Sequence, residues 1–308
     1  MIFETAIAIS ADFLYANGGH LVLGPMDIAC PCCEDSRAST VAMLPFKTIY
    51  GDVDSTIYRC SECRSYWRSF ADSIRPDTHY ETASYTRESL EERWRSDRKA
   101  FFQQILTLVE ENIGDHREHL QLLDVGCSYG HMMEIFRDRG WHCQGTEIVC
   151  RLRDKLRVLG FNAYGGVEEI LPDERFDAIT LIDSFYCFSN PRSALGRLGS
   201  LLADRGVMVI RITNRTRLLN FLLTLPGGRI DNQVFGDQVV APSHKAMRSM
   251  LEACGLRIQS VHTRETKPVS MVRDPRRWVY YRIMPMVSGI TRIKLSPGLI
   301  YVCRKSLD

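Results

Sequence analysis

The chain carries almost no net charge: 39 Lys and Arg stand against 37 Asp and Glu over 308 residues, a formal +2. It therefore lacks the global basic excess that marks a nucleic-acid binder. No apolar run reaches the ~18–20 residues that a membrane-spanning helix requires. No basic segment precedes the first apolar stretch, so no secretory leader is expected, and the cytoplasm is the expected compartment. There is no internal repeat and no low-complexity tract. With 45% hydrophobic and 25% charged residues, the composition excludes a disordered or fibrous chain. The length predicts about two domains.

Cysteine, by contrast, is plentiful, with 11 residues. Cys127, Cys143, Cys150, Cys187, Cys254 and Cys303 are scattered singly, as small core hydrophobes are in a reducing compartment. The other five crowd into Cys30-Pro31-Cys32-Cys33 and Cys60-Ser61-Glu62-Cys63. Each group contains a C-x-x-C, which can turn two thiolates toward one ion, and two such pairs complete a tetrahedral zinc site. Four sulfurs fill the zinc shell and leave no position for water, so the expected metal is structural. The spacing favours Cys30, Cys33, Cys60 and Cys63 as ligands, with Cys32 an alternative to Cys33. The spacer of residues 34–59 is long but compatible with a hairpin excursion. A zinc clip would also stabilise a ~40-residue module too small for a core of its own.

The expected organisation is an N-terminal segment and zinc module over 1–75, a linker and helix over 76–115, and an α/β domain over 116–308. Residues 71–88 are polar and carry Tyr80 and Tyr85, as suits a linker. Leu90–Ile113 reads as a long helix, with apolar Phe101, Ile105, Leu106 and Val109 at helical spacing and Gly114 as its stop. Strands are then expected at Leu122–Val125, His142–Glu147, Phe176–Ile182, Val207–Ile212, Leu256–Val261 and Leu299–Cys303. Helices are expected at His131–Arg139, Cys150–Leu159, Ala194–Leu202 and His244–Cys254, with a turn at Asp204-Arg205-Gly206. Such alternation predicts a mostly parallel sheet covered on both faces, with its ligand at the carboxyl ends of the strands.

The first strand leads into Asp124-Val125-Gly126-Cys127-Ser128-Tyr129-Gly130 and then a helix. Glu147 stands about 20 residues beyond, where a carboxylate can accept both hydroxyls of a ribose. A nicotinamide site would use G-x-G-x-x-G to hold a pyrophosphate on the helix N-terminus. This loop has only G-x-x-x-G, which suits a ligand without a pyrophosphate, and the acid at Asp124 suits a cationic amino-acid end.

These residues resemble the class I S-adenosylmethionine-dependent methyltransferases. Asp124, Gly126 and Gly130 resemble their first motif, and Glu147 matches the acid that holds the ribose. Arg175-Phe176-Asp177 resembles the start of their fourth strand, and Asp204-Arg205-Gly206 their P-G-G turn with the proline and one glycine replaced. The resemblance covers roughly residues 90–262 and the last strand. The double C-x-x-C ahead of it resembles a subgroup with an N-terminal zinc module that acts on sugars or specialised metabolites. It implies a Rossmann-like domain with a mostly parallel seven-stranded sheet, S-adenosylmethionine as donor, and a cofactor site including Asp124, Gly126, Cys127, Gly130, Glu147 and Asp183. Glu168, after the third strand, stands approximately where members carry the acid that meets the adenine. Asp183-Ser184-Phe185-Tyr186 stands where many members have Glu-His, and no Asn/Asp-Pro-Pro-Tyr motif for an adenine or glutamine amine is present.

A hydroxyl acceptor requires a base as well as alignment with the methyl donor. Asp183 at the end of the fourth strand, His244 at the start of a later helix and Tyr186 are the expected catalytic residues, with Asp237 and His131 as further candidates for the base. Arg211 is anomalous inside an apolar strand and must find a carboxylate partner, structural or from a ligand. Residues 263–298 form a basic insert that includes Arg273, Arg276, Arg277, Arg282, Arg292 and Lys294 beside Trp278, Tyr280, Tyr281, Ile283 and Met286. Pro275 and Pro285 keep any helix in it short. It could cover the acceptor pocket, pack on the sheet, or meet a membrane surface, a lipid-linked sugar or nucleic acid.

The resulting expectation is methyl transfer to a small molecule, a sugar or biosynthetic intermediate. A methyltransferase gripping RNA or protein through the zinc module is the first alternative. However, Lys47, Arg59, Arg64 and Arg68 in that module are balanced by Glu34, Asp35, Asp52, Asp54 and Glu62. A cofactor-binding scaffold without transfer activity is the second.

Overall fold

The computed structural model describes residues 26–27, 29–48, 50–70, 79–80, 88–113, 119–215, 235–263, 278–291 and 296–306. Most of the 71–88 linker, including Tyr85, lies outside them, as do Gly114 and Arg273, Pro275, Arg276, Arg277, Arg292 and Lys294 of the basic insert.

The N-terminal part is a five-stranded antiparallel sheet. Strands β1 (Met26–Asp27), β2 (Arg37–Thr48), β3 (Gly51–Cys60) and β4 (Tyr66–Ser69) follow one another across it. The spacer between the cysteine pairs is the β2–β3 hairpin, whose closing pair is Thr48 and Gly51. The fifth strand comes from far along the chain: β10 (Val240–Ala241) pairs antiparallel with Tyr66–Trp67 of β4. A two-residue strand carries no periodicity, and the sequence did not announce it.

Helix α1 (Glu88–Ile113) leads into the second part. Its Phe101, Ile105 and Val109 lie against one face of the second sheet with Leu122, Val207, Val209, Ile300 and Val302. That sheet is built from β5 (Gln121–Val125), β6 (His142–Thr146), β7 (Asn162–Tyr164), β8 (Phe176–Ile182), β9 (Leu202–Thr213), β11 (Leu256–His262) and β12 (Gly298–Lys305). Its order is β11-β12-β9-β8-β5-β6-β7, with β12 running antiparallel to both neighbours and the pairs from β9 through β7 all parallel. Helices α2 (His131–Arg137), α3 (Cys150–Val158), α4 (Pro191–Leu201) and α5 (His244–Ala253) connect the strands. The expected seven-stranded, mostly parallel sheet is thus observed. Phe176–Ile182 is buried almost throughout, as a central parallel strand must be.

Helix starts follow local chemistry. Asn190 caps α4 by accepting from the Ser193 amide, with Pro191 in the first turn, and Ser243 caps α5 by accepting from the Ala246 amide. Most helix ends lie within a few residues of expectation, and the largest difference is at the start of β9. The turn at Asp204–Gly206 lies inside β9, because Leu202 already pairs with Phe176 before the register shifts and resumes at Ala178–Val207. In the basic insert, Val279–Ile283 winds as a π-helix into α6 (Met284–Thr291). Among the described residues no helix is long and apolar enough to cross a membrane.

Candidate active site

Where β5 ends, the chain turns through Gly126 at φ +74°. The Gly126 and Cys127 amides both donate to the Thr146 carbonyl at 2.9 Å, which ties the loop to the end of β6. Ser128 takes a left-handed conformation, φ +52°, and its amide donates to Glu147 Oε2 at 2.9 Å. The second glycine has a different task. Gly130, at φ +78°, would place a Cβ 2.6 Å from Leu156 Cδ2, so its lack of a side chain lets α2 approach α3. Cys127 points away from the loop's open side: a Cβ on Gly145 would lie 2.6 Å from its Sγ.

Above these strand ends lies a cavity of about 310 Å³, within the range of small-ligand pockets. It is lined by Gly126, Glu147, Ile148, Gly166 and Glu168 together with Tyr80, Asp183, Ser184, Tyr186, Cys187, Phe188 and Val239. Glu147 is buried, and its second oxygen accepts from the Val149 amide at 2.9 Å. Burial raises its pKa, although the Val149 and Ser128 amides favour the carboxylate. Arg153 holds the Glu147 and Ile148 carbonyls at 2.7 and 2.8 Å. Glu168 is exposed at the cavity edge on the short turn Val167–Glu169.

Asp124 is buried beneath the loop and does not line the cavity. It accepts from Thr180 Oγ1 at 2.9 Å, and burial pushes its pKa up to about 7. A carboxylate and a hydroxyl in the cavity region are left in contrasting states. Glu147 has both oxygens engaged, whereas the buried Ser184 Oγ on the cavity wall has no hydrogen-bond partner. The Ser128 Oγ in the loop is likewise buried without one. Orphaned hydroxyls beside an apolar and aromatic wall suit a ligand that brings polar groups of its own.

Asp183, at φ +60°, is the residue that answers Arg211. The Arg211 guanidinium on β9 donates to Asp183 Oδ1, and Arg98 from α1 stands 3.8 Å from Oδ2 with its guanidinium over the Trp94 ring. The carboxylate at the cavity rim and the anomalous arginine of the apolar strand are therefore one ion pair. Tyr186 lines the cavity, and its carbonyl accepts from the Val239 amide at 3.0 Å. His244 does not join this group. Its ring stacks on Tyr301, with Nδ1 2.9 Å from the tyrosine hydroxyl, and it is not among the residues that line the cavity. Asp237 and His131 are not among them either; burial lowers the pKa of His131.

Tyr80, Cys187 and Val239 were not singled out by sequence. The Tyr80 hydroxyl lies 3.1 Å from Cys187 Sγ, a contact between residues more than a hundred positions apart. Nothing in the local sequence announces it.

A family model described as a methyltransferase domain matches residues 91–261. The chain belongs to this methyltransferase domain family. No curated protein matches the sequence. Among solved structures, a chain of the complex between the Haloferax volcanii Trm112 methyltransferase activator and a methyltransferase is 15% identical, with a TM-score of 0.52 over 76% of this chain and 100% of that one. The plantazolicin methyltransferase BamL, solved with a triazolic desmethylPZN analog and SAH, is 16% identical, with a TM-score of 0.50 over 76% of this chain and 95% of that one. At these identities the likeness is one of fold.

Ahead of the methyltransferase domain, Cys30, Cys33, Cys60 and Cys63 converge, with their sulfurs all within 4.8 Å of one another. Cys30 and Cys63 are 3.6 Å apart, as are Cys33 and Cys60. Four thiolates at zinc–sulfur distances of about 2.3 Å would stand ~3.8 Å apart, so the cluster fits a tetrahedral ion. The Cys63 amide donates to Cys60 Sγ at 3.3 Å, an outer contact suited to a thiolate. Cys32 is buried but is not part of the cluster. The cluster is tied to the methyltransferase domain through Ser243, whose hydroxyl donates to the Cys63 carbonyl and whose amide donates to Ser65 Oγ.

Proposed function

We propose that this methyltransferase transfers the methyl group of S-adenosylmethionine to a small-molecule acceptor, a sugar or another biosynthetic intermediate. The observation that carries this is that one cavity at the strand ends is lined together by Gly126, Glu147, Glu168, Tyr80, Asp183 and Tyr186. Glu147 accepts the ribose hydroxyls, and Glu168 borders the adenine. Asp124 supports the loop from beneath rather than meeting the ligand. When bound, the donor supplies a sulfonium-activated methyl group. The chain's part is to bring the acceptor into line with it and to exclude water, which is where most of the acceleration in such a displacement lies.

Asp183 and Tyr186 bound the acceptor side. Asp183, held by Arg211 and Arg98, is a fixed carboxylate that can accept a hydrogen bond from an acceptor hydroxyl and receive its proton as the bond to carbon forms. His244 carries no role in the transfer, because it faces Tyr301. The four-cysteine cluster holds a structural zinc ion that secures the N-terminal sheet.

Calorimetric titration of the zinc-replete protein with S-adenosylmethionine and, separately, with NAD tests this. Micromolar binding of S-adenosylmethionine alone is expected, followed by transfer in a screen of small acceptors. Binding of NAD instead, or of neither by folded protein, would overturn it. Binding without transfer to any small acceptor, but with transfer to RNA or protein, would move the acceptor to a macromolecule.

A further inference from the structure

The helical segment 278–291 is apolar on its exposed side as well as its covered one, which is unlike a helix that simply packs on a sheet. Pro285 is buried, and Tyr281, Met284 and Val287 are half-buried. Facing outward are Val279, Ile283, Met286 and Ile290, exposed at 45%, 36%, 58% and 82%. These positions follow one another at spacings of four, three and four, which lays them in one stripe along a helix. Arg282 is exposed beside the stripe. The sequence around it is one-sided in charge: residues 275–298 contain Arg276, Arg277, Arg282, Arg292 and Lys294 and no Asp or Glu. This is a local excess inside a chain that is otherwise almost neutral.

We infer that this helix docks the protein on an anionic lipid bilayer, with Val279, Ile283, Met286 and Ile290 entering the headgroup–acyl boundary and the exposed Arg282 meeting the lipid phosphates. An apolar stripe set among cations, with the aromatic Trp278 and Tyr280 at its start, has the chemistry of an interfacial helix. A symmetric pairing of two copies through the same stripe would bring like charges together, which argues against self-association as its use. Beyond the segment, the chain rejoins the sheet just past β9. The Asn214 amide, just past β9, donates to the Pro297 carbonyl at 2.8 Å, and its side chain donates to the Ser296 carbonyl at 2.9 Å. The inference does not depend on the donor or acceptor assigned to the cavity.

Co-sedimentation of the purified full-length protein with vesicles tests it, one set of phosphatidylcholine alone and one containing phosphatidylglycerol. Partition onto the phosphatidylglycerol vesicles is expected, little onto phosphatidylcholine, and less at high salt. Met286→Glu/Ile290→Glu should lower partition roughly tenfold or more. Arg282→Gln should lower it about fivefold, the worth of one basic residue near a charged surface. Val158→Glu, an exposed apolar position on α3, should change nothing. Both helix positions replaced by Glu are solvent-facing, so thermal melts should match the parent. Equal partition of the parent and the double variant would overturn the inference, as would indifference to phosphatidylglycerol. So would a parent dimer that the double variant converts to monomer while neither binds vesicles.

Discussion

A Cβ built on Gly126 would stand 2.5 Å from the Cβ of Ser184. The ends of β5 and β8 thus meet without room for one methyl group, at the floor of the cavity. Gly126 also sits at φ +74°, which costs an ordinary residue about 1–2 kcal/mol. Gly126→Ala is therefore expected to push the loop and the Ser184 turn apart and to weaken S-adenosylmethionine at least tenfold by calorimetry. Gly126→Arg should abolish binding in a protein that still melts cooperatively.

Glu147 is expected to serve loop and ligand together. Glu147→Ala removes the acceptor of two backbone amides, those of Ser128 and Val149. Charge-assisted hydrogen bonds contribute roughly 1.5–3 kcal/mol each, so cofactor affinity should fall about ten- to a hundredfold. Glu147→Gln keeps one acceptor oxygen and should fall between. Parent-like affinity in the alanine variant would reduce Glu147 to a structural residue.

Asp124 makes stability depend on pH. Burial raises its pKa from 3.8 to about 7 in the folded protein, so between those values the folded state holds a proton that the unfolded state has lost. Stability therefore falls as pH rises through this window, by at most about 1.4 kcal/mol per pH unit for one group. Asp124→Asn should show a flatter profile than the parent between pH 4 and about 7. Neighbouring groups that titrate nearby, Glu147 and His131 among them, remain in both proteins, so the difference reports Asp124.

One zinc ion per chain is expected by native mass spectrometry. Cys33→Ser or Cys60→Ser should lose it, and Cys32→Ser should keep it, because Cys32 lies outside the cluster. Loss should reach beyond the N-terminal sheet, since β10 and Ser243 join that sheet to the methyltransferase domain. A single lowered melting transition is expected, not the selective loss of an early one.

The Asp183–Arg211 pair sets a further test. Arg211→Met leaves Asp183 without its buried partner, and Asp183→Ala does the same to Arg211; breaking a buried pair from one side costs about 3–5 kcal/mol. Combined, Asp183→Asn/Arg211→Met should recover much of that stability. It should not recover methyl transfer if Asp183 receives the acceptor's proton, while cofactor affinity stays within about threefold of the parent. Recovery of transfer would assign Asp183 to positioning alone.

The parts legible in the sequence are those written in short-range patterns. Phe176–Ile182 was read residue for residue because five of its seven residues are apolar and most are β-formers, a density that suits a buried central strand. The four sulfurs that converge are those the paired C-x-x-C spacing favours, since a three-residue offset turns two side chains toward one point. Gly126 and Glu147 were located by their distances from the first strand, which the βαβ crossover makes nearly constant. Other readings were incomplete for want of local information. Gly130 was read as a turn glycine near the ligand; its positive φ fits the turn, and its closeness to Leu156, which no spacing announces, adds a packing reason for glycine there. The Asp204–Gly206 turn appears as a bulge inside β9, because strand pairing with Phe176 starts before it.

By itself the sequence determined the long helix, the main strands and helices of the second sheet, the glycine loop and the cysteine cluster, because each rests on hydrophobic period or fixed spacing along the chain. Only the tertiary structure decided which residues share the cavity. It brought Tyr80 to Cys187, paired Arg211 with Asp183, turned His244 to Tyr301 and completed the N-terminal sheet with Val240–Ala241. Each joins positions separated by 28 to more than a hundred residues. Such partners are chosen by how whole elements pack, and no period or spacing along the chain encodes that choice.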